Sequence, residues 1–177
     1  MGGPAPEDVL DPPGDPESVA RTICLRALTQ RARTRAELAA LLARRGVPSP
    51  AATTVLDRFV EVGLIDDAAL AESFAAAAHA ERGLSRRAVV AKLRQRGVTD
   101  PDVDVATAHI DTASEYVAAR ALAARRLRSL SGIEPAVQAR RLVALLARRG
   151  YGASLAYRVV RDVLGTHAGE VVDGPDG

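Results

Sequence analysis

The sequence predicts an all-α fold, an elongated, curved array of three tandem three-helix repeats with disordered acidic tails. Three observations predict it. The segments TRAELAALLARRGV (34–47), SRRAVVAKLRQRGV (85–98) and QARRLVALLARRGY (138–151) spell nearly the same short helix three times, each closing on Arg-Gly. The 177 residues are 47% hydrophobic, yet Ala supplies much of that, Trp is absent and aromatics are 3%. Such a composition suits thin helix-on-helix seams better than a thick core. No run of β-branched or aromatic residues alternates as a strand would, whereas Ala and Arg are strong helix formers.

Residues 1–17 hold five acids, several Pro and Gly, and no base. They cannot bury enough apolar surface to offset chain entropy and are expected to be disordered, as are residues 165–177. Between them lie repeat 1 (18–65), repeat 2 (66–111) and repeat 3 (112–164). Each opening helix varies. In repeat 1 it spans about 18–30, with Val19, Ile23 and Ala27 on one face and Cys24 flanking it as a small buried residue. In repeat 2 it starts at Asp66-Asp67, with Leu70, Phe74 and Ala77 inward. In repeat 3 it spans about 112–130, with Tyr116, Ala119, Ala123, Leu127 and Leu130 inward.

The middle helices are in register on Gly46, Gly97 and Gly150. Leu42, Leu93 and Leu146 lie four residues earlier, and Leu38, Val89 and Leu142 eight earlier, which makes one apolar stripe. Thr34 and Glu37 match a capping box, in which each side chain satisfies a free backbone donor at the helix start. Each glycine suits a left-handed C-terminal cap. The bases just before it (Arg44-Arg45, Arg94 and Arg96, Arg148-Arg149) face the negative end of the helix dipole. A cap explains the Gly and one Arg; it does not require two. Third helices follow, with Ser49 and Asp100 as N-caps before Pro50 and Pro101, and Ser154 able to cap in repeat 3. Their apolar positions are Val55, Leu56, Phe59 and Val60; Val105, Ala108 or His109, and Ile110; and Val159, Val160, Val163 and Leu164.

Net charge is +2 overall, but the eight acids of the two ends lie outside 18–164. That span keeps 24 basic residues against 14 acidic ones, a net +10. Residues 120–162 alone carry ten arginines against Glu134 and Asp162. A basic body of this kind attracts polyanions or an acidic protein surface, and guanidinium forks suit carboxylates and phosphates. The bland alternative is a solvated Arg-rich surface with no partner. Tyr116 and Tyr157 are expected in the core, and Tyr151 at the surface.

Catalysis finds little support. His79, His109 and His167 are scattered away from metal-ligand spacing. No nucleophile elbow or phosphate-binding loop occurs. The expected protein is not an enzyme, binds no cofactor or metal, and is a soluble cytoplasmic monomer: one Cys cannot form an internal disulfide, and no signal-like or membrane-length apolar run appears.

Four stretches in order, RTRAELAALLARRGV, FVEVGLIDDAALAESFAAAA, RGLSRRAVVAKLRQRGV and ARRLVALLARRGYGASLAYRVV, resemble the RecX family, regulators of the RecA recombinase. The similarity covers about residues 19–164. It departs from the family pattern at Ala68-Ala69-Leu70, where an aromatic is common, and at AHAERG, where His79 and Arg82 stand near an expected Arg. The resemblance implies a regulator that lies in the groove of RecA–DNA filaments and inhibits recombinase and ATPase activity, modulating DNA repair, recombination and the SOS response. The expected RecA- and DNA-contacting residues are Arg86, Arg87, Lys92, Arg94, Arg96, Arg125, Arg126, Arg128, Arg140, Arg141, Arg148 and Arg149. One alternative is a DNA-binding protein without sequence specificity, acting through phosphate contacts. Another is a scaffold for a different acidic protein.

Overall fold

The computed structural model describes the backbone of residues 14–172 and the side chains as far as residue 166. Among the described residues there are nine helices and no strand: α1 (Pro16–Gln30), α2 (Arg35–Arg44), α3 (Ser49–Glu61), α4 (Asp67–Ala80), α5 (Arg86–Gln95), α6 (Asp100–Thr107), α7 (Thr112–Arg128), α8 (Pro135–Arg148) and α9 (Ala153–Val172). The described residues fall into two compact units that divide between Leu70 and Ala71. The first holds α1–α3. The second holds α4 from Ala71 onward and α5–α9.

Each repeat has its own core. Repeat 1 closes Leu38 and Leu42 of α2 over Ala20, Cys24, Val55, Leu56 and Phe59. Repeat 2 closes Val89 and Leu93 over Ala71, Ala75, Ala78, Val103 and Ala106. Repeat 3 closes Leu142 and Leu146 over Ala119, Ala123, Leu127, Val159 and Val163. The predicted stripe of middle-helix residues is thus the central seam in all three, with every member fully buried.

The three Arg-Gly endings are one motif repeated. Gly46, Gly97 and Gly150 have φ of 75°, 80° and 91°, the left-handed region that glycine enters without a Cβ penalty. The amide after each glycine donates five residues back: Val47 to Leu42 (3.1 Å), Val98 to Leu93 (3.2 Å) and Tyr151 to Leu146 (3.1 Å). Each glycine amide donates to Ala43, Arg94 or Ala147. This is a Schellman cap, which turns the residue after the glycine back toward the helix and packs it there. The caps explain why Val98 and Tyr151 are buried. The capping box at Thr34 is also present, with Glu37 N–H donating to Thr34 Oγ1 (3.1 Å) and Thr34 N–H to Glu37 Oε2 (3.2 Å).

Several expectations are corrected. In α1 the buried stripe is Ala20, Cys24 and Ala27, while Val19 is 42% exposed and Ile23 half-buried. In α4 it is Ala71, Ala75 and Ala78, one residue on from the expected Leu70, Phe74 and Ala77. Both shifts have one cause: small side chains let the opening helix lie close against its neighbours, so the larger residues flank the contact. In α6 the inward residues are Val103, Ala106 and Thr107, followed by Ile110; Val105 and His109 face outward. Val60 is 47% exposed.

The N-caps also move. α3 and α6 begin one residue early, with Pro48 and Thr99 at the cap positions and no side-chain cap bond, so Ser49 and Asp100 are the first helical residues. Ser154 lies inside α9, which begins at Ala153.

Part of each expected tail is helical. Asp15 caps α1, accepting from the amides of Glu17 and Ser18, and Pro16 supplies a preset φ at the first turn. At the other end α9 continues to Val172, because no proline interrupts it before Pro175. Residues 1–13 and 173–177 lie outside the described residues.

Candidate functional site

Helix C-termini bring bases to the surface, because the last turn directs Leu42, Leu93 and Leu146 into the seam and leaves the basic residues beside them outside it. Arg45, Arg96 and Arg149 are the C-cap residues themselves. They correspond in sequence, but the fold uses them differently. Arg45 is exposed. The Arg96 guanidinium lies 5.6 Å from the centroid of the Phe74 ring, which Arg82 also approaches at 4.8 Å. Arg149 is a brace between repeats 2 and 3: its carbonyl accepts from Ser85 N–H (3.0 Å), and its guanidinium donates to the carbonyl of Arg82.

The same joint holds the start of α5. Ser85 caps it by accepting from Ala88 N–H (3.2 Å), and the Glu115 carboxylate of α7 accepts from Arg86 N–H (2.9 Å). A negative charge at a helix N-terminus is favourable for dipole reasons. Gly150 sits directly against this turn; a Cβ there would come within 2.4 Å of Ser85 Oγ and 2.7 Å of Ala88 Cβ.

The predicted basic residues therefore divide in two. Arg86 Nε donates to the Thr107 carbonyl (3.3 Å), Arg94 pairs with Asp100 (2.8 Å), and Arg126 donates to Ser129 Oγ (3.1 Å). With Arg96 and Arg149, these have intramolecular work. Arg87, Lys92, Arg125, Arg128, Arg140, Arg141 and Arg148 are exposed, with no ion-pair or hydrogen-bond partner shown among the described residues. Arg141 and Arg148 are seven residues apart on α8 and so share one face of it. Sequence alone could not make this division for Arg86, Arg96 and Arg149, since Thr107, Phe74 and Arg82 are brought to them by other elements.

The tyrosines reverse their expected places. Tyr151 is buried at 3% exposure and Tyr157 is 65% exposed. Tyr116 is half-buried; its hydroxyl donates to Asp162 Oδ2 (3.0 Å), and Arg158 lies 5.0 Å from the ring centroid. The Asp162 bond favours the neutral phenol, which holds the Tyr116 pKa above its usual value. Burial, with Glu115 nearby, pushes Tyr151 up to about 12. Its hydroxyl has no hydrogen-bond partner among the described residues.

An orphaned buried hydroxyl costs on the order of 1–3 kcal/mol, so Tyr151→Phe is expected to stabilise the chain by about 1 kcal/mol in urea unfolding. The folded pKa is raised, so the native state keeps its proton after the unfolded chain has lost it. Stability thus falls as pH rises from about 10 to about 12, and the Phe variant should lose this decline.

His79 is buried, its Nδ1 donating to the Leu84 carbonyl (2.9 Å), and His109 is exposed. Cys24 is buried, and burial raises its thiol pKa. No group of three or more His, Cys, Asp or Glu able to hold a metal occurs among the described residues. No described helix is long and apolar enough to cross a membrane.

Three family models match this architecture helix for helix: the first RecX three-helix domain over residues 20–59, the second over 66–106 and the third over 113–160. The chain belongs to the RecX family. A regulatory protein RecX from Thermobifida fusca is 48% identical over 170 residues, covering 96% of this chain and 88% of that protein. One from Streptomyces coelicolor is 47% identical over 154 residues, covering 87% and 82%. The crystal structure of RecX from Lactobacillus salivarius superposes with a TM-score of 0.71 at 16% identity, over 84% of this chain and 97% of that one. At that identity the superposition establishes the RecX fold alone. Family membership makes the chain a RecX-type regulatory protein built from tandem helical repeats, which is consistent with a role other than catalysis.

Proposed function

We propose that this RecX-family chain binds RecA filaments on DNA and inhibits their ATPase and strand-exchange activity, its basic side chains meeting acidic RecA surface, DNA phosphate or both. The observation that supports this most is that seven bases on α5, α7 and α8 are exposed with no ion-pair or hydrogen-bond partner shown among the described residues. Bases not engaged within the chain are available to an anionic partner outside it. Its residues are Arg87, Lys92, Arg125, Arg128, Arg140, Arg141 and Arg148. Arg86, Arg94, Arg96, Arg126 and Arg149 act mainly by holding the repeats that present them.

RecA's DNA-dependent ATP hydrolysis, with this chain titrated below the RecA concentration, tests the proposal. Inhibition at sub-stoichiometric ratios supports a filament regulator. Inhibition only when the chain covers the DNA favours the second reading, a phosphate-binding protein with steep salt dependence. The double variant Arg141→Glu with Arg148→Glu should raise the half-inhibiting concentration at least about tenfold, because like charge now faces the anionic partner. Its helical circular dichroism should be unchanged, since both side chains are exposed. Unaltered inhibition at moderate salt would remove these two residues from the interface.

A further inference from the structure

The three repeats share one register, but one surface of repeat 3 departs from the other two. Between α8 and α9, joined by a four-residue turn, runs an open apolar groove of about 590 Å³. Val143, Val160 and Leu164 line it, Tyr157 stands exposed over it, and Arg140 and Arg161 flank it. With the helix-end glycines aligned, Tyr157 corresponds to Thr53 and Asp104, Leu164 to Val60 and Asp111, and Arg161 to Asp57 and Ala108.

In repeat 1 the corresponding surface is bridged by an Arg35–Asp57 ion pair at 2.6 Å. In repeat 2 it carries two carboxylates, and the Arg86 guanidinium reaches across it to the Thr107 carbonyl at 3.3 Å. Of these three corresponding surfaces, among the described residues, that of repeat 3 combines an apolar lining with a basic rim. Among the described residues Arg140 has no partner shown there, and the contact shown for Arg161 is Asp162, at 3.6 Å, a carboxylate already shared with the Tyr116 hydroxyl.

We infer that the α8/α9 groove of repeat 3 docks an acidic amphipathic helix of a partner protein. A furrow between two helices accepts the side-chain ridge of a third. Such a helix would seat an apolar stripe on Val143, Val160 and Leu164, pack against Tyr157, and place flanking carboxylates on Arg140 and Arg161. Tyr is a good anchor, because it supplies large contact area at small entropic cost. Nucleic acid fits less well, since phosphate contact needs no apolar floor. The inference deepens the proposed function by assigning Arg140 to protein and not to phosphate, and it rests on that reading for the partner being an anionic protein.

The test is fluorescence anisotropy with the full chain and a labelled synthetic helix carrying Leu at i, i+3, i+4 and i+7 and Glu flanking the stripe. A scrambled peptide of the same composition and a labelled oligothymidylate serve as the other probes. The striped peptide should bind at least about tenfold more tightly than the scrambled one. Tyr157→Ser and, separately, Arg140→Glu with Arg161→Glu should each weaken it about tenfold, a change of about 1.4 kcal/mol. Tyr157 is exposed, so its replacement spares the core.

Equal binding of striped and scrambled peptides overturns the inference, as does indifference to Tyr157→Ser. Loss of oligothymidylate binding in Tyr157→Ser with the peptide unaffected assigns the groove to nucleic acid and overturns it too. The ATPase titration is read separately with wild-type chain, so a failed groove and a failed RecA reading give different results.

Discussion

Gly150→Ala is expected to lower the stability of the second unit by about 3 kcal/mol, whereas Gly46→Ala should cost only about 1 kcal/mol. Both glycines end the same kind of helix at positive φ, and both pay the left-handed penalty of roughly 1–2 kcal/mol when a Cβ is added. Only Gly150 adds a collision. The new methyl would sit 2.4 Å from Ser85 Oγ and 2.7 Å from Ala88 Cβ, while nothing lies within 4 Å at Gly46. Relief requires α5 and α8 to move apart, which strains the Ser85–Arg149 backbone bond and the Glu115 contact with Arg86. Urea unfolding of the two variants checks this. Partial uncoupling of repeats 2 and 3 would also lower the m-value of Gly150→Ala, since less surface would unfold in one step. Equal losses at the two sites would mean that the Gly150 joint yields without cost.

Leu146→Ala should cost about 3 kcal/mol, within the usual range of about 2–5 for a buried leucine. Leu146 is fully buried among Leu142, Ala119, Ala123 and Val159. Two of those neighbours, Ala119 and Ala123, have no longer rotamer with which to fill the vacated space. The cavity therefore persists, and its cost adds to the lost transfer energy. Leu25, 43% exposed on α1, is the control; Leu25→Ala should stay within about 0.5 kcal/mol of wild type apart from helix propensity. A midpoint shift in Leu146→Ala no larger than in Leu25→Ala would show that the repeat 3 seam contributes little.

The behaviour of Tyr151 and Tyr157 shows how much of the surface was readable from repetition. Tyr151 stands where repeats 1 and 2 have Val47 and Val98, the position a Schellman cap folds inward. Aligning the three endings predicts its burial; judging the aromatic residue by itself does not. Tyr157 stands where the other repeats have Thr53 and Asp104, both polar and exposed, so the same alignment predicts its exposure. The signal was present, but an aromatic in an Ala-rich chain drew the expectation toward the core. Likewise Val19 and Ile23 of α1 and the whole α4 stripe were off by one because large apolar residues were preferred over the Ala and Cys that the close contacts select, whereas Ala27, Cys24 and the α7 stripe from Ala119 to Leu130 are buried as expected.

The tails were overextended for a local reason. Acid and proline mark residues 1–17 as a group, yet Asp15-Pro16-Glu17 is itself a helix-start signature. Gly165 and Gly169 weaken a helix without ending it, and α9 runs on to Val172.

By itself the sequence determined the all-α class, the three repeats, the Leu/Val seams and the glycine-ended helices, because each rests on interactions within a few residues: 3.6-residue periodicity, caps and positive-φ turns. The tertiary structure alone decided which arginines are committed and which are open. Arg149 braces Arg82, Arg86 reaches Thr107, and Arg140 and Arg148 show no such partner among the described residues. Charge acts over the distances between elements, so its pairing is set when helices distant in sequence meet, and the chain order alone does not contain those distances.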